Sequence, residues 1–167
     1  LDAYRSEFLK EGVWEGDGIH RMIPVAKSTE ILYLNETDWE TFAGETGADK
    51  EMLKTWEGLA QAAGMYYEWS GGSPFLGMNA FNDFAALSAA QLGEGIRWTQ
   101  DGPEFNYSRD TARRVWDAYY VPHIKGWYES RTYNQDGIKS GRLMAYIGSS
   151  AGAGFFPQLV IEDEKQF

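Results

Sequence analysis

The sequence predicts an α/β domain, helix-rich around a small mixed sheet. Three observations predict it. Two runs, Ile31-Leu32-Tyr33-Leu34 and Leu143-Met144-Ala145-Tyr146-Ile147, are rich in the β-branched and aromatic residues that suit strands. Between them, apolar residues recur at spacings of three and four, the period of a helix with one buried face. The resulting order of strand, helices and strand fits helices layered on a sheet. A chain of 167 residues can bury a sizeable core. It contains no internal repeat, low-complexity tract or sharp boundary, so residues 1–167 read as a single domain.

Each element has its own signal. Tyr4, Phe8 and Leu9 give the first eleven residues one apolar side and predict a short helix, broken at Gly12, Gly16 and Gly18. Two strands are expected between Gly18 and Thr37: Ile19 to Val25, closed by Pro24, and Ile31 to Leu34. The polar link Ala26-Lys27-Ser28-Thr29-Glu30 joins them. Thr37 with Glu40 forms a capping box for a helix ending at Gly44 and Gly47. A second helix is expected over 50–63, or from Trp56 if Thr55 is its cap, with Gly64 as its end. Gly58 weakens its centre by about 1 kcal/mol relative to Ala, and its small size suits close packing. A third helix spans 80–92 behind Asn79, and Ile96-Arg97-Trp98-Thr99 is a strand turned by Asp101-Gly102-Pro103. A fourth starts at Ser108 or Asp110 and stops at Pro122. Residues 123–137 read as loop, 136–140 as one helical turn, and Leu159-Val160-Ile161 as a terminal strand.

Composition removes several classes of function. The net charge is −10, which repels nucleic acid and anionic membrane surfaces alike. There is no cysteine, hence no disulfide, thiolate metal site or thiol nucleophile. No apolar run approaches the ~20 residues that span a bilayer. The chain opens mid-pattern at Leu1 without a signal peptide, which reads as a mature or excised segment. Seven Trp and ten Tyr supply both core and candidate stacking faces.

Signals for catalysis are weak. His20 and His123 are the only histidines, and neither accompanies a G-x-S-x-G elbow or an H-E-x-x-H metal pattern. No phosphate-binding glycine pattern follows a strand. The residues ask for no cofactor and no metal. Carboxylates are plentiful, but no spacing selects a catalytic pair. Two polar corners are more informative. Gly148-Ser149-Ser150-Ala151-Gly152 follows a buried strand and opens a helical turn, where unpaired N–H groups and hydroxyls can meet a sugar hydroxyl, carboxylate or phosphate. Ser28-Thr29 is a similar corner, and both also suit plain turns. Trp69, Phe75, Trp98, Trp127 and Tyr128 are candidate faces for a sugar ring.

The stretch IHRMIPVAKSTEILYLNETDWETFAG resembles the central segment of extracellular solute-binding proteins of ABC importers, through Pro24, Ser28-Thr29 and Tyr33-x-Asn35. LKTWEGLAQAA looks like the next helix of that family, YYEWSGGSPFLGMNAFNDF and LGEGIRW like its following region. IKSGRLMAYIGSSAG is similar to its late motif, with Gly141-Arg142 before the strand. The resemblance covers nearly the whole chain.

It implies one lobe of a type II periplasmic-binding-protein-like fold, with the other lobe, a lipobox cysteine and hinge segments supplied from outside this chain. It also implies a location outside the cell, periplasmic or anchored at the surface as a lipoprotein. The ligand is then a carbohydrate or related polyol, the partner is the membrane permease, and no reaction is catalysed. Carried over by position, Ser28, Thr29, Ser149, Ser150 and Ala151 face the ligand, with Tyr66 and Trp69 as looser candidates. Sugar-binding relatives often stack an aromatic at the late corner, whereas glycerol-phosphate-binding relatives place serines there, as this chain does. Arg142 and Lys27 are the cations available to an anionic ligand. The alternatives are a glycan-active enzyme with an Asp/Glu pair and a protein-interaction domain.

Overall fold

The computed structural model describes residues 4–14, 16–78, 80–99, 101–131, 134–155, 159–160 and 165–166. Helix α1 (Ser6–Lys10) leads into a hairpin of β1 (Val13–Trp14) and β2 (Ile19–His20). The extended run expected over Ile19–Val25 is therefore strand only at its first two residues. Met22, Ile23 and Val25 are exposed, and Pro24 has no N–H to give a ladder. The second run holds: β3 covers Glu30–Leu34.

Asn35, not Thr37, caps α2 (Glu36–Thr46). Its side-chain oxygen accepts the Asp38 N–H at 3.2 Å, and its amide donates to Asp38 Oδ2 at 2.8 Å. Its own N–H donates to the Met144 carbonyl at 2.8 Å, so one buried residue both starts the helix and ties it to the sheet. The helix passes through Gly44 and stops at Gly47, whose φ of 74° is the left-handed turn that favours glycine.

A 3-10 turn (Lys50–Lys54) precedes α3 (Trp56–Trp69), which starts at its Thr55 cap. Gly64 does not end this helix. A Cβ there would lie 2.9 Å from Trp127 Cζ2, and a Cβ at Gly58 would run into the Met52 carbonyl. Both glycines permit close approach rather than punctuate the chain. Met65–Trp69 thus belongs to the helix.

The chain continues with β4 (Leu76–Met78) and α4 (Phe81–Gln91), whose first flanking residue is Ala80; Asn79 lies outside the described residues. A hairpin of β5 (Gly95–Thr99) and β6 (Gly102–Asn106) follows. Helix α5 (Arg109–Ile124) is capped by Ser108, whose hydroxyl accepts the Thr111 N–H at 3.0 Å. It runs through Pro122 instead of stopping there. Proline forfeits one hydrogen bond in the last turn, while Lys125 still donates to Val121 and Trp127 to Pro122. Then come β7 (Tyr128–Glu129), α6 (Gln135–Lys139), β8 (Ala145–Ser149) and a 3-10 turn (Ser150–Phe155). Strand β9 (Leu159–Val160) pairs with β10 (Lys165–Gln166). Tyr133, Phe156, Pro157 and Ile161 lie outside the described residues.

The main sheet has the order β3-β8-β4-β7. Strand β3 is antiparallel to β8, and β4 runs parallel to both β8 and β7. The fold is thus α/β with a mixed sheet. Its core joins α2, α3 and the sheet through aromatic rings in edge-on contact. Phe42 meets Trp39 and Tyr66 at centroid distances of 5.5 Å, and Phe75 meets Tyr66 at 5.6 Å, the favoured geometry for ring quadrupoles. Gly64→Ala is expected to lower unfolding free energy by about 1–3 kcal/mol through overpacking against Trp127. Urea denaturation followed by tryptophan fluorescence measures it.

Candidate functional site

The pairing of β3 with β8 sets Glu30 opposite Ser149. The two polar corners singled out in the sequence therefore meet. The Thr29 N–H donates to Ser150 Oγ at 3.1 Å, and the Ser150 N–H donates back to the Thr29 carbonyl at 2.7 Å. The Tyr33 hydroxyl donates to the Ser149 carbonyl at 2.8 Å, and the Ala151 N–H donates to Ser149 Oγ at 3.2 Å. Tyr33 and Tyr146 stack across the strands with centroids 5.9 Å apart. A hydrogen-bonded corner of this kind is held in one arrangement before any ligand arrives.

Beside the corner lies an open cleft of about 710 Å³, the size range of small-molecule sites. Parallel strands β4 and β8 both end at it, through Met78 and Ser149. In α/β sheets, ligands lie beyond the carboxyl ends of parallel strands. Leu32, Leu59, Met78 and Ile147 supply apolar surface, and Trp56 forms an aromatic wall backed by the buried Phe84. These two rings meet edge-on at 4.6 Å, and Trp56 Nε1 donates to Gln91 Oε1 at 2.9 Å, fixing the indole. The first turns of α3 and α4 reach the cleft. Thr55 caps one, whereas Ala80 offers no side-chain cap to the other, leaving donors there for solvent or ligand.

Carboxylates also line the cleft. Burial first, and the nearby Asp83 second, raise the Glu30 carboxyl above its ordinary value. Glu57 is held below its ordinary value, chiefly by the hydrogen bond from Arg114 Nη2 at 2.8 Å. Burial raises the Tyr146 hydroxyl, with Glu30 adding to the effect.

The residues expected at a site are thus divided. Thr29 and Ser149 line the cleft, Ser150 is bonded to Thr29, and Ser28 and Ala151 are exposed beside them. Tyr66 and Trp69 do not line it. Tyr66 is buried in the aromatic core. Trp69 packs on Phe42 and Tyr66 and donates from Nε1 to Glu45 Oε2 at 2.8 Å. Their helical spacing places them on the face of α3 turned to α2.

The other candidate aromatics are also elsewhere. Phe75 and Tyr128 are buried, Trp127 packs under Lys125 and against Gly64, and the Trp98 side chain lies outside the described residues. Lys27 pairs with Glu11, and Arg142 with Glu129 at 2.5 Å; neither reaches the cleft. His20 sits on the β1–β2 hairpin. His123 shares a 2.7 Å hydrogen bond between Nδ1 and the Tyr119 carbonyl. Trp56, Phe84, Glu30 and Asp83 are the cleft residues that the sequence reading did not single out. The one signal for Glu30 was its place after Ser28-Thr29.

No family model matches the chain, and no curated protein matches it. Among the described residues, no group of three His, Asp or Glu side chains is placed to hold a metal ion, and no helix is long and apolar enough to cross a membrane.

The raised Glu30 carboxyl has a consequence for stability. The folded state holds this proton to higher pH than the unfolded chain, whose value is 4.5. The favourable contribution is present below that value and is lost as pH rises through the folded value. Glu30→Gln is therefore expected to raise the urea midpoint at neutral pH and to have a smaller effect near pH 4.5. Unfolding curves at the two pH values test the sign.

Proposed function

We propose that this chain forms most of one lobe of an extracellular solute-binding protein of an ABC importer, with a type II periplasmic-binding-protein-like fold. It would capture a carbohydrate or related polyol and present it to a membrane permease. One observation carries the reading. Two polar corners, far apart in sequence, meet at the carboxyl ends of β4 and β8, beside an open cleft with an aromatic wall. The order of motifs from Pro24 to Ala151 supports it independently.

A sugar ring offers a weakly polar face and a rim of hydroxyls. Trp56, backed by the buried Phe84, provides apolar contact, while Thr29, Ser149 and the first-turn N–H groups of α4 provide hydrogen bonds. The cleft is open on one side, so a second lobe closing over it would bury both partners. A buried polar group left unpaired costs roughly 1–3 kcal/mol, which discriminates between solutes that differ by one hydroxyl. No bond in the solute is made or broken, and release follows reopening at the permease.

A second reading has one observation in its favour. Glu30 and Asp83 share the cleft, and Asp83 adds to the raising of the Glu30 carboxyl, as one member of an acid pair in a glycan-cleaving enzyme would. Turnover separates the two. Calorimetric titration of the intact protein with monosaccharides, oligosaccharides and glycerol phosphates is expected to give saturable binding and intact solute on recovery. Trp56→Ala is expected to weaken binding at least about tenfold, with Trp56→Phe intermediate, since truncating a stacking ring removes about 1–3 kcal/mol. Cleaved solute supports the enzyme. A folded protein silent to the whole panel contradicts both readings.

A further inference from the structure

The charge of the cleft narrows what it accepts. Four acidic or basic side chains line it: Glu30, Glu57, Asp83 and Lys54. Two of these are matched within the chain. Arg114 pairs with Glu57 at 2.8 Å and Glu51 pairs with Lys54 at 2.5 Å. Among the described residues, neither Glu30 nor Asp83 has a Lys or Arg partner. Asp83 receives only the neutral amide of Asn82, at 2.9 Å.

Asp83 also sits in the first turn of α4, where the helix dipole favours an anion. The two carboxylates share one opening and repel each other when both are charged. A closing lobe would strengthen this repulsion by removing water, so the occupant of the cleft must compensate it. Trp56 stands in the same cleft, and an aromatic face attracts a cation as well as a sugar face. The cleft is the site, and the two unmatched carboxylates select among its ligands.

We infer that the cleft prefers a small solute bearing an ammonium group, such as an amino sugar, over its neutral counterpart, and rejects its phosphorylated one. This rests on the binding reading above and names its substrate class. It runs against the serine-only late corner, which by resemblance would suit a glycerol phosphate. The Ser150 and Ala151 N–H groups of that corner already donate to the Thr29 carbonyl and to Ser149 Oγ, and the cations that would greet a phosphate, Lys27 and Arg142, are paired elsewhere.

The test is calorimetric titration of the intact protein with glucosamine, glucose and glucose 6-phosphate near pH 6.5, where an amino group of this kind is mostly protonated and ordinary carboxylates are ionised. Glucosamine is expected to bind about tenfold or more tightly than glucose, with the margin shrinking in high salt and no detectable phosphate binding. Asp83→Asn and Glu30→Gln are each expected to bring the glucosamine-to-glucose ratio towards one. Equal affinity for glucose and glucosamine, or tighter binding of the phosphate, overturns the inference and leaves the solute-binding reading standing. A ratio unchanged in both variants overturns the role of the pair. Silence from all three probes in a folded protein overturns the inference, and silence to the wider panel of oligosaccharides and glycerol phosphates overturns the reading beneath it as well.

Discussion

Five residue pairs, from Glu30 with Ser149 to Leu34 with Ala145, join β3 to β8. The rest of the molecule depends on their register. Side chains alternate across a strand, so a slip of one residue would turn Leu32 and Ile147 from the cleft side to the other face. The same slip would part Thr29 from Ser150. Three features pin the register. Tyr33 bonds the Ser149 carbonyl, Thr29 and Ser150 exchange hydrogen bonds at one end, and Asn35 bonds the Met144 carbonyl at the other. A corner held at both ends of a ladder loses little freedom on meeting a ligand, which is what preorganisation means in energetic terms.

The aromatic residues serve two separate purposes. Trp39, Phe42, Tyr66 and Phe75 fill the space between α2, α3 and the sheet, where their area stabilises the fold. Trp56, half-buried, lines the cleft, and Phe84, itself part of the core, backs it there. Helix α3 does both jobs because it is long enough. Trp56 opens it at the cleft, and Tyr66, near its far end, lies in the core.

Much of this was legible in the sequence, for reasons that differ by element. The strands at 31–34 and 145–147 carry long apolar runs, and the helices carry clear periods with Thr55 and Ser108 at their starts. Strand β4 was not legible. It is three residues long, has Gly77 at its centre and follows a Gly-Ser-Pro loop. Gly77 is there because a Cβ would come within 2.8 Å of Leu143 Cδ1 and 2.9 Å of Asn134 Cβ, a packing demand that only the folded chain reveals. Gly64 misled in the same way, as a helix stop that proved to be a seat for Trp127. Of the site, the polar corners could be read because hydroxyl-bearing residues adjoin apolar runs there, before β3 and at the end of β8. Trp56 could not be told from a core position, and Phe84 is one, since helical spacing places a ring on a face but does not say what that face meets. Glu30 and Asp83 are 53 residues apart and come together only at the cleft that both line.

Amide hydrogen exchange of the intact protein, with and without its tightest-binding sugar, tests most directly whether the joined corners and the cleft are where a solute sits. The account predicts added protection over residues 29–32, 54–57 and 146–151, with the Tyr66–Trp69 end of α3 unchanged. Protection confined to that end of α3, or to the β1–β2 hairpin, would contradict it.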